Sequence, residues 1–180
     1  MDNAGNRGDT IRRAATSDLP ALGRLGAMLL RAHHEFDRDR FMGAGAGAEK
    51  GYAAFLATEL AEPDSLVLVA DRGHGPIGYV YASVEPRSWK ELRERAGFIH
   101  DVLVDEGHRR GGLADALLDA AVEWLRERRV PRVLLLTADR NEQAQRLFLR
   151  KGFRRTMIEM TLELGPGLEG RSLQPSRPLS

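Results

Sequence analysis

The segment HRRGGLADALL, residues 108–118, places two arginines and two glycines at the start of a predicted helix, shortly after the strand-like run DVLV. At such a strand-to-helix turn, the first backbone N–H groups of the helix have no partner within it, and the helix dipole adds partial positive charge. Gly111 and Gly112 keep side chains away from these groups, and Arg109 and Arg110 add charge. The segment therefore predicts a pyrophosphate site. A tight turn with solvated arginines explains these residues equally well.

The common phosphate motifs do not account for this segment. It lacks the Gly-Lys-Ser/Thr ending of a Walker loop and the G-x-G start of a dinucleotide fingerprint. The stretch GAGAGA, residues 43–48, follows no predicted strand. We therefore interpret GAGAGA as a flexible link between two helices.

Hydropathy patterns place strands and helices on both sides of the arginine-glycine segment. Apolar alternation and short apolar runs predict strands at TIRRA, SLVLVA, IGYVYASV, GFIHDVLV, RVLLLTA and FRRTMIEMTLEL. Helical spacing of apolar residues predicts helices at about 16–30, 51–60 and 112–125, and over NEQAQRLFLRKG. The order β-α-α-β-β-β-α-β-α-β predicts an α/β domain built around one sheet.

Length and composition limit the class of protein. The 180 residues fit one domain, which we place at residues 10–164, between flexible tails at 1–9 and 165–180. The absence of cysteine excludes disulfides and thiolate metal sites, and the net charge of +1 gives no support for a nucleic-acid or membrane partner. The N-terminus carries no apolar signal core. These features predict a cytoplasmic protein that binds neither nucleic acid nor membranes.

Two motifs together resemble the GNAT superfamily of acetyl-coenzyme-A-dependent N-acyltransferases. The family's central motif is Arg or Gln, two residues, Gly, one residue, then Gly or Ala, after a strand that ends in valine. This chain has Arg109, Gly112 and Ala114 after Val104. A second family element, Asn-x-x-Ala-x-x-Leu-Tyr followed by Gly-Phe, is similar to NEQAQRLFLRKGF. The resemblance covers about residues 10–164.

The resemblance implies a fold and a binding site for acetyl-coenzyme A. The fold is a single mixed, mostly antiparallel sheet flanked by helices. The family usually ends in a hairpin of two strands, whereas this chain departs from the family in having one continuous run, FRRTMIEMTLEL, which predicts a shortened C-terminal hairpin. The backbone of one strand would pair with the pantetheine arm, the first turn of the next helix would hold the pyrophosphate, and a neighbouring helix would face the pantetheine. The residues implied are Val102, Leu103, Val104, Arg109, Arg110, Gly111, Gly112, Leu113, Ala114, Asn141, Ala144 and Phe148. Asn141 is also suited to cap its own helix, and both roles are compatible.

The resemblance also places a general base on the strand GFIHDVLV, where His100 is the first candidate and Asp101 the second. Imidazole exchanges protons near neutral pH, as transfer from an amine requires. Neighbouring side chains on a regular strand project to opposite faces, so we expect His100 and Asp101 to lie on opposite faces of the sheet. An ordinary hydrogen-bonded core histidine is an equally good interpretation of His100. The reaction needs no metal, and the adjacent residues His33 and His34 lack the i, i+4 spacing of a zinc-binding helix.

Phe148 departs from the family pattern, because the family commonly has at this position a tyrosine that protonates the leaving thiolate. Phenylalanine cannot donate a proton, so either water or one of the tyrosines Tyr52, Tyr79 and Tyr81 would have to do so. The departure leaves two hypotheses open. The first is an N-acetyltransferase that transfers the acetyl group directly to a primary amine in a ternary complex, and the alternative is a non-catalytic acyl-coenzyme-A-binding sensor or partner module.

In the resembled fold the amine or peptide acceptor lies beside the first helices and the loop after the third strand. Candidate acceptor contacts there are His33, His34 and Asp37 for a cationic amine, and Trp89 as an apolar wall or cation–π partner. Solvated surface residues are the alternative interpretation of this set. The unpaired final strand FRRTMIEMTLEL would leave a free sheet edge, which predicts a homodimer.

Overall fold

The computed structural model describes residues 10–109 and 111–164 of the chain. The strands are β1 (Thr10–Arg13), β2 (Ser65–Asp71), β3 (Pro76–Glu85), β4 (Ala96–Val104) and β5 (Val133–Leu135), and the α-helices are α1 (Leu19–Phe36), α2 (Ala48–Ala61), α3 (Leu113–Glu127) and α4 (Glu142–Arg150). The strands form one sheet in the order β1-β2-β3-β4-β5. Every pair is antiparallel except β4–β5, which is parallel. The predicted single mixed, mostly antiparallel sheet flanked by helices is confirmed.

Helices cover both faces of the sheet. On one face, α1 and α2 pack on apolar side chains that include Val69, Tyr79 and Leu103. On the other face, the predicted apolar stripe of α3 packs through residues such as Leu117 and Leu125. Because both faces are buried, the central strand β3 is apolar along most of its length rather than alternating.

The helices α1 and α2 approach each other closely at two glycines of α1. A Cβ atom on Gly23 would lie 2.4 Å from the backbone oxygen of Glu49, and a Cβ atom on Gly26 would lie 1.9 Å from Cδ1 of Tyr52. Glycine is a poor helix former, so its presence here is explained by packing rather than by propensity. Gly23 lets the backbone of α2 approach α1, and Gly26 leaves room for the ring of Tyr52 against the backbone of α1.

A β-bulge at His100 interrupts the regular pleat of β4. Tyr81 pairs with Asp101, whereas the next residue of β3, Ala82, pairs with Ile99, so His100 is an extra residue on β4. A bulge of this kind shifts the alternation of side chains by one residue. The prediction that His100 and Asp101 project to opposite faces is therefore wrong. His100 stacks on Tyr81, and Asp101 accepts a hydrogen bond from Tyr79 on the same face of β3.

The strands β4 and β5 diverge next to this bulge. They pair only from Gly97 with Val133 to Ile99 with Leu135, and β4 continues to Val104 without a strand on that side in the part of the chain that the structure describes. The divergence leaves a gap between two parallel strands, with α4 beside it. The candidate site lies in this gap.

The predicted final strand FRRTMIEMTLEL is wrong. Residues 153–164 form neither strand nor helix, and the sheet ends at β5. The apolar side chains of this segment remain exposed, for example Met157 at 80% and Met160 at 88%. A period-two pattern shows that a segment can form a strand, but not that a sheet edge lies within reach.

The predicted flexible tails, residues 1–9 and 165–180, lie outside the described residues. Among the residues described, no helix combines the length and the apolar character needed to cross a bilayer.

Candidate active site

A cavity occupies the gap between the diverging strands. It is enclosed by α1, β4, the end of β5 and α4, which together bring in residues that are far apart in the sequence. Its lining residues are Leu29, His33, Ile99, His100, Asp101, Val102, Leu135, Leu136, Thr137, Asn141, Ala144 and Phe148. The cavity thus brings together seven of the residues predicted from sequence, namely His33, His100, Asp101, Val102, Asn141, Ala144 and Phe148.

The open edge of β4 presents backbone groups to the gap. The N–H of Asp105 donates to the carbonyl oxygen of Ile77 at 2.8 Å, which fixes the side of β4 that bonds to β3. Because backbone groups alternate along an antiparallel strand, the N–H and C=O of Val102 and Val104 point away from β3. Arg109 donates from Nε to the carbonyl oxygen of Val104 at 3.1 Å, as this orientation requires. The backbone of Val102 is therefore oriented to pair with a ligand beside β4.

The start of α3 has the geometry expected of an anion site. Gly112 has φ of 75°, a left-handed conformation that favours glycine, and the first intrahelical bond of α3 runs from Ala116 N–H to Gly112 C=O at 3.0 Å. The amides of Leu113 and Ala114 precede that first bond and have no intrahelical acceptor. A Cβ atom on Gly112 would meet nothing within 4 Å, so the space beside this residue is open.

The structure describes Arg109, one of the two arginines predicted for this site. The guanidinium of Arg109 turns back to the strand, where it bonds Val104 and lies 3.2 Å from Oε1 of Glu106. Arg109 therefore stabilises the turn that precedes α3. Arg110 lies outside the described residues.

One face of α4 lines the cavity. Oδ1 of Asn141 accepts a hydrogen bond from the backbone N–H of Ala144 at 3.1 Å, so the predicted helix cap is present. Phe148 lies on the same face and meets Phe153 edge to face, with ring centroids 5.9 Å apart. The helix thus offers the cavity an amide side chain and an aromatic wall, and its phenylalanine has no acidic hydroxyl.

Asp101 lies at the centre of a hydrogen-bonded group. Its Oδ2 accepts a hydrogen bond from the hydroxyl of Tyr52 on α2 and another from the hydroxyl of Tyr79 at 3.1 Å. Burial raises the pKa of the Asp101 carboxyl, and the two tyrosine hydrogen bonds oppose that rise. Sequence reasoning considered these tyrosines only as proton donors and missed the group, because no local pattern connects α2 with β4.

His100 is held by different partners. Its Nε2 lies 2.8 Å from the hydroxyl of Ser83 and 3.5 Å from Oε1 of Glu85. The ring stacks on Tyr81 and on Phe98, at centroid distances of 4.5 and 4.9 Å. Burial lowers the pKa of the imidazole, opposed by the negative charges of Asp101 and Glu59.

The four predicted acceptor contacts lie at different places. His33 lines the cavity, with Nδ1 3.0 Å from the carbonyl oxygen of Leu29. His34 instead bonds the carbonyl oxygen of Phe41 at 3.0 Å. Asp37 accepts two backbone hydrogen bonds in its own turn, and Trp89 is 80% exposed. Among the described residues that line the cavity, His33 is the sole member of the predicted acceptor set.

Asp37 lines a second, polar depression near the end of α1. Its other lining residues are Glu35, Phe36, Arg38, Asp39 and Arg140. Within residues 10–109 and 111–164, no group of three or more histidine, aspartate or glutamate side chains could hold a metal ion.

Solved structures of other proteins have this fold. A Bacillus halodurans protein, determined as a tetramutant, is 23% identical, with a TM-score of 0.75 over 86% of this chain and 99% of its own. A GCN5-related N-acetyltransferase from Ralstonia eutropha is 23% identical, with a TM-score of 0.67 over 88% and 100%. A Bacillus halodurans protein described as a transcriptional regulator is 19% identical, with a TM-score of 0.68 over 87% and 100%.

The family comparison is more specific than these similarities in fold. No protein of curated function matches the chain significantly. The profile of the acetyltransferase (GNAT) family matches residues 29–153, which run from α1 through the cavity to the end of α4. The matched region thus includes the open edge of β4, the start of α3 and the cavity face of α4. The chain belongs to the acetyltransferase (GNAT) family.

Proposed function

We propose that this protein transfers the acetyl group of acetyl-coenzyme A to a primary amine, directly and in a ternary complex. The observation that carries the proposal is the cavity between β4 and β5, which joins an open strand edge to titratable side chains. Direct transfer needs both substrates side by side, and the chain has no cysteine to carry an acyl intermediate.

The residues around the gap fit the parts of acetyl-coenzyme A. The backbone N–H and C=O of Val102 and the N–H of Val104 are suited to pair with the pantetheine amides, because they point away from β3. Leu103, which the resemblance also implied, pairs with Tyr79, so its backbone bonds β3 rather than a ligand. The amides of Gly111–Ala114 are suited to the pyrophosphate, because the space beside Gly112 is open. On the opposite side of the gap, the face of α4 formed by Asn141, Ala144 and Phe148 would contact the pantetheine end.

Acetyl-coenzyme A supplies the acetyl group as an activated thioester, and the residues of the chain orient the amine and move its proton. An alkyl amine with a pKa near 10 is mostly protonated at pH 7, so a proton acceptor in the cavity helps the reaction. The sequence-based candidates for this acceptor, His100 and Asp101, both line the cavity. Phe148 cannot return a proton to the thiolate, whose pKa near 8.5 lets water do so.

The acceptor amine would enter from the side of α1. We propose His33 as its nearest contact, since this side chain lines the cavity. His34, Asp37 and Trp89 remain proposed contacts for a longer acceptor, such as a peptide, that extends beyond the cavity. The second depression carries both signs of charge, which suits the polar groups of a peptide; its charged lining residues are Glu35, Asp37, Asp39, Arg38 and Arg140.

Calorimetric titration with acetyl-coenzyme A, followed by an assay of amine-dependent thiol release, tests the proposal. We expect the wild type to bind acetyl-coenzyme A and Gly112→Asp to bind at least tenfold more weakly, because a carboxylate would face the pyrophosphate site. Gly75→Asp is the matched control, since Gly75 also has positive φ (104°) and open surroundings but lies in the turn before β3.

A panel of small amines, polyamines and peptide N-termini distinguishes the two hypotheses for the family member. Thiol release that depends on one of these amines supports the transferase. Tight binding of acetyl-coenzyme A without thiol release across the panel would support the non-catalytic sensor, for which Phe148 is the structural argument. Absence of binding would contradict both.

A further inference from the structure

We infer that His33 is the proton acceptor of the reaction, acting from α1 rather than from β4. The inference rests on the proposed function and adds to it a catalytic residue that the sequence assigned only to acceptor binding. It follows from the tautomer that the structure imposes on this imidazole and from the position of its ring.

The hydrogen bond at Nδ1 decides the tautomer of His33. Nδ1 lies 3.0 Å from the backbone carbonyl oxygen of Leu29, one helical turn earlier. A carbonyl oxygen can only accept, so Nδ1 must carry the proton, and Nε2 of the neutral ring keeps its lone pair. A lone pair at Nε2 is what a general base requires.

Two aromatic side chains hold the ring in place. Phe41 meets His33 edge to face at 5.0 Å between ring centroids, and Phe36 does so at 6.0 Å. With Nδ1 anchored to the helix and the ring supported from the side, His33 is pre-oriented towards the cavity that it lines. Such positioning reduces the loss of conformational freedom when a substrate binds.

Asp101 lines the same cavity as His33. Tyr52 and Tyr79 donate hydroxyl hydrogen bonds to its Oδ2 and hold this carboxyl group in a fixed orientation.

The residues on β4 are less available for proton transfer. Nε2 of His100 already faces Ser83 and Glu85, and the ring is stacked on aromatic side chains. Asp101 accepts two tyrosine hydrogen bonds on Oδ2. Either group would have to give up existing partners to take a proton. His33 can take a proton on Nε2 and keep the hydrogen bond from Nδ1 to Leu29.

The step balances without a further reactant. The amine nitrogen forms a bond to the carbonyl carbon while the bond from that carbon to sulfur breaks. The nitrogen loses one proton to Nε2 of His33, and the thiolate sulfur later gains one proton. His33 returns its proton to solvent or to the thiolate, so the enzyme is unchanged after each turnover.

The variant His33→Asn provides the sharpest test. The asparagine amide nitrogen occupies about the position of Nδ1 and can still donate to Leu29, but the side chain has nothing at the position of Nε2. We expect kcat with a good amine acceptor to fall about 10²–10⁴-fold while binding of acetyl-coenzyme A is retained. His33→Ala should show the same loss and recover activity when free imidazole is added. The matched control is His74→Ala, an exposed histidine in the turn before β3.

Two results would overturn the assignment. One is a His33→Asn enzyme with near wild-type kcat, in particular if His100→Ala shows the loss and the imidazole rescue instead. The other comes from nitrogen NMR of the imidazole in the wild type, which needs no turnover: a neutral His33 protonated at Nε2 would contradict the inference. If the wild type releases no thiol with any amine, the proposed function fails. The NMR measurement still shows which ring nitrogen of His33 carries the proton.

Discussion

Tyr52 packs directly against the backbone of Gly26, so closely that a Cβ atom on Gly26 would lie 1.9 Å from Cδ1 of the ring. This contact sets the position of the hydroxyl that donates to Asp101. The contact between α1 and α2 therefore affects the pKa of the Asp101 carboxyl in the cavity, because the Tyr52 hydrogen bond acts to lower it. The absence of a side chain at one position of α1 therefore contributes to the chemistry of the site.

The substitution Gly26→Ala tests this link. We expect it to destabilise the fold by about 1–3 kcal/mol, because the ring of Tyr52 must move away from α1. Urea denaturation provides the measurement. Gly51→Ala is the control: Gly51 lies in α2, a Cβ atom there would meet nothing within 4 Å, and alanine should stabilise the helix by about 0.5–1 kcal/mol. Equal effects of the two substitutions would contradict the proposed contact.

Removal of one hydroxyl by Tyr52→Phe should have a pH-dependent effect. Burial already raises the pKa of the folded Asp101 carboxyl above its unfolded value, so this group makes the fold less stable as pH rises between the two values. Loss of the Tyr52 donor raises the folded pKa further. We therefore expect a penalty of about 1.5–3 kcal/mol above that pKa, where the carboxylate is ionised, and a smaller penalty in acid.

Urea denaturation of wild type and Tyr52→Phe at several pH values measures this effect. A penalty that is the same at all pH values would show that the hydroxyl does not act on Asp101. Phe55→Leu serves as a control for aromatic packing, because Phe55 meets the ring of Tyr52 edge to face at 5.7 Å but carries no hydroxyl.

The guanidinium of Arg12 joins the start of α1 to the end of β2, and its loss should destabilise the fold. It bonds Asp18 at 2.7 and 2.9 Å and Asp71 at 2.7 Å. The hydrogen bond from Arg12 lowers the pKa of Asp18, so its contribution to stability is present above the unfolded pKa and is lost as pH falls through the folded pKa.

We expect Asp18→Asn to cost about 1–3 kcal/mol at neutral pH, because Asp18 is buried and charge-paired. The difference in the free energy of unfolding between Asp18→Asn and the wild type should become smaller at acidic pH. Glu142→Gln, which breaks an exposed pair with Arg146, should cost less than about 1 kcal/mol. Thermal unfolding at two pH values measures the effects of both substitutions. A loss of stability in Glu142→Gln as large as that in Asp18→Asn would contradict the larger contribution we expect from the Arg12–Asp18 pair.

Exposed apolar side chains at the C-terminal end predict self-association. Met157, Ile158, Met160, Leu162 and Leu164 are each at least 69% exposed, and the outer side of β5 carries no strand in the described part of the chain. An exposed apolar segment and a free strand edge each favour pairing with a second copy. We therefore expect a homodimer, although through β5 and this segment rather than through the predicted sixth strand.

Sedimentation velocity measures this association. Replacement of Met160 and Leu162 by lysine should give a monomer, because charge on the segment opposes pairing. Leu92→Lys is the control, since Leu92 is 88% exposed at a different place, in the loop between β3 and β4. A monomeric wild type would contradict the predicted homodimer.

Most of the fold followed from local patterns. The apolar stripe of α3 predicted the face that packs on the sheet, and Leu117, Ala121 and Leu125 are buried as expected. The final strand was wrong for a reason that local patterns do not contain. The apolar alternation after Phe153 shows that this segment could form a strand. A strand also needs a free sheet edge within reach, and the edge strand β5 has only three residues.

The candidate site was predictable only in part. Turn chemistry, which acts over a few residues, indicated Gly112. The resemblance to the family implied Asn141 and the strand that carries Asp101. The role we propose for His33 could not be found in this way, since its significance depends on a cavity formed by four separate elements.

The sequence by itself determined the order of elements and the glycine-rich start of α3, which arise from interactions between near neighbours, and it carried the family pattern in two short motifs. Only the tertiary structure decided that His100 forms a bulge, that both His100 and Asp101 face the α1 and α2 side, and that Tyr52 reaches the carboxylate. The physical reason is that strand register and helix crossing depend on contacts between residues distant in the chain. A shift of one residue in register reverses which side chains face the site.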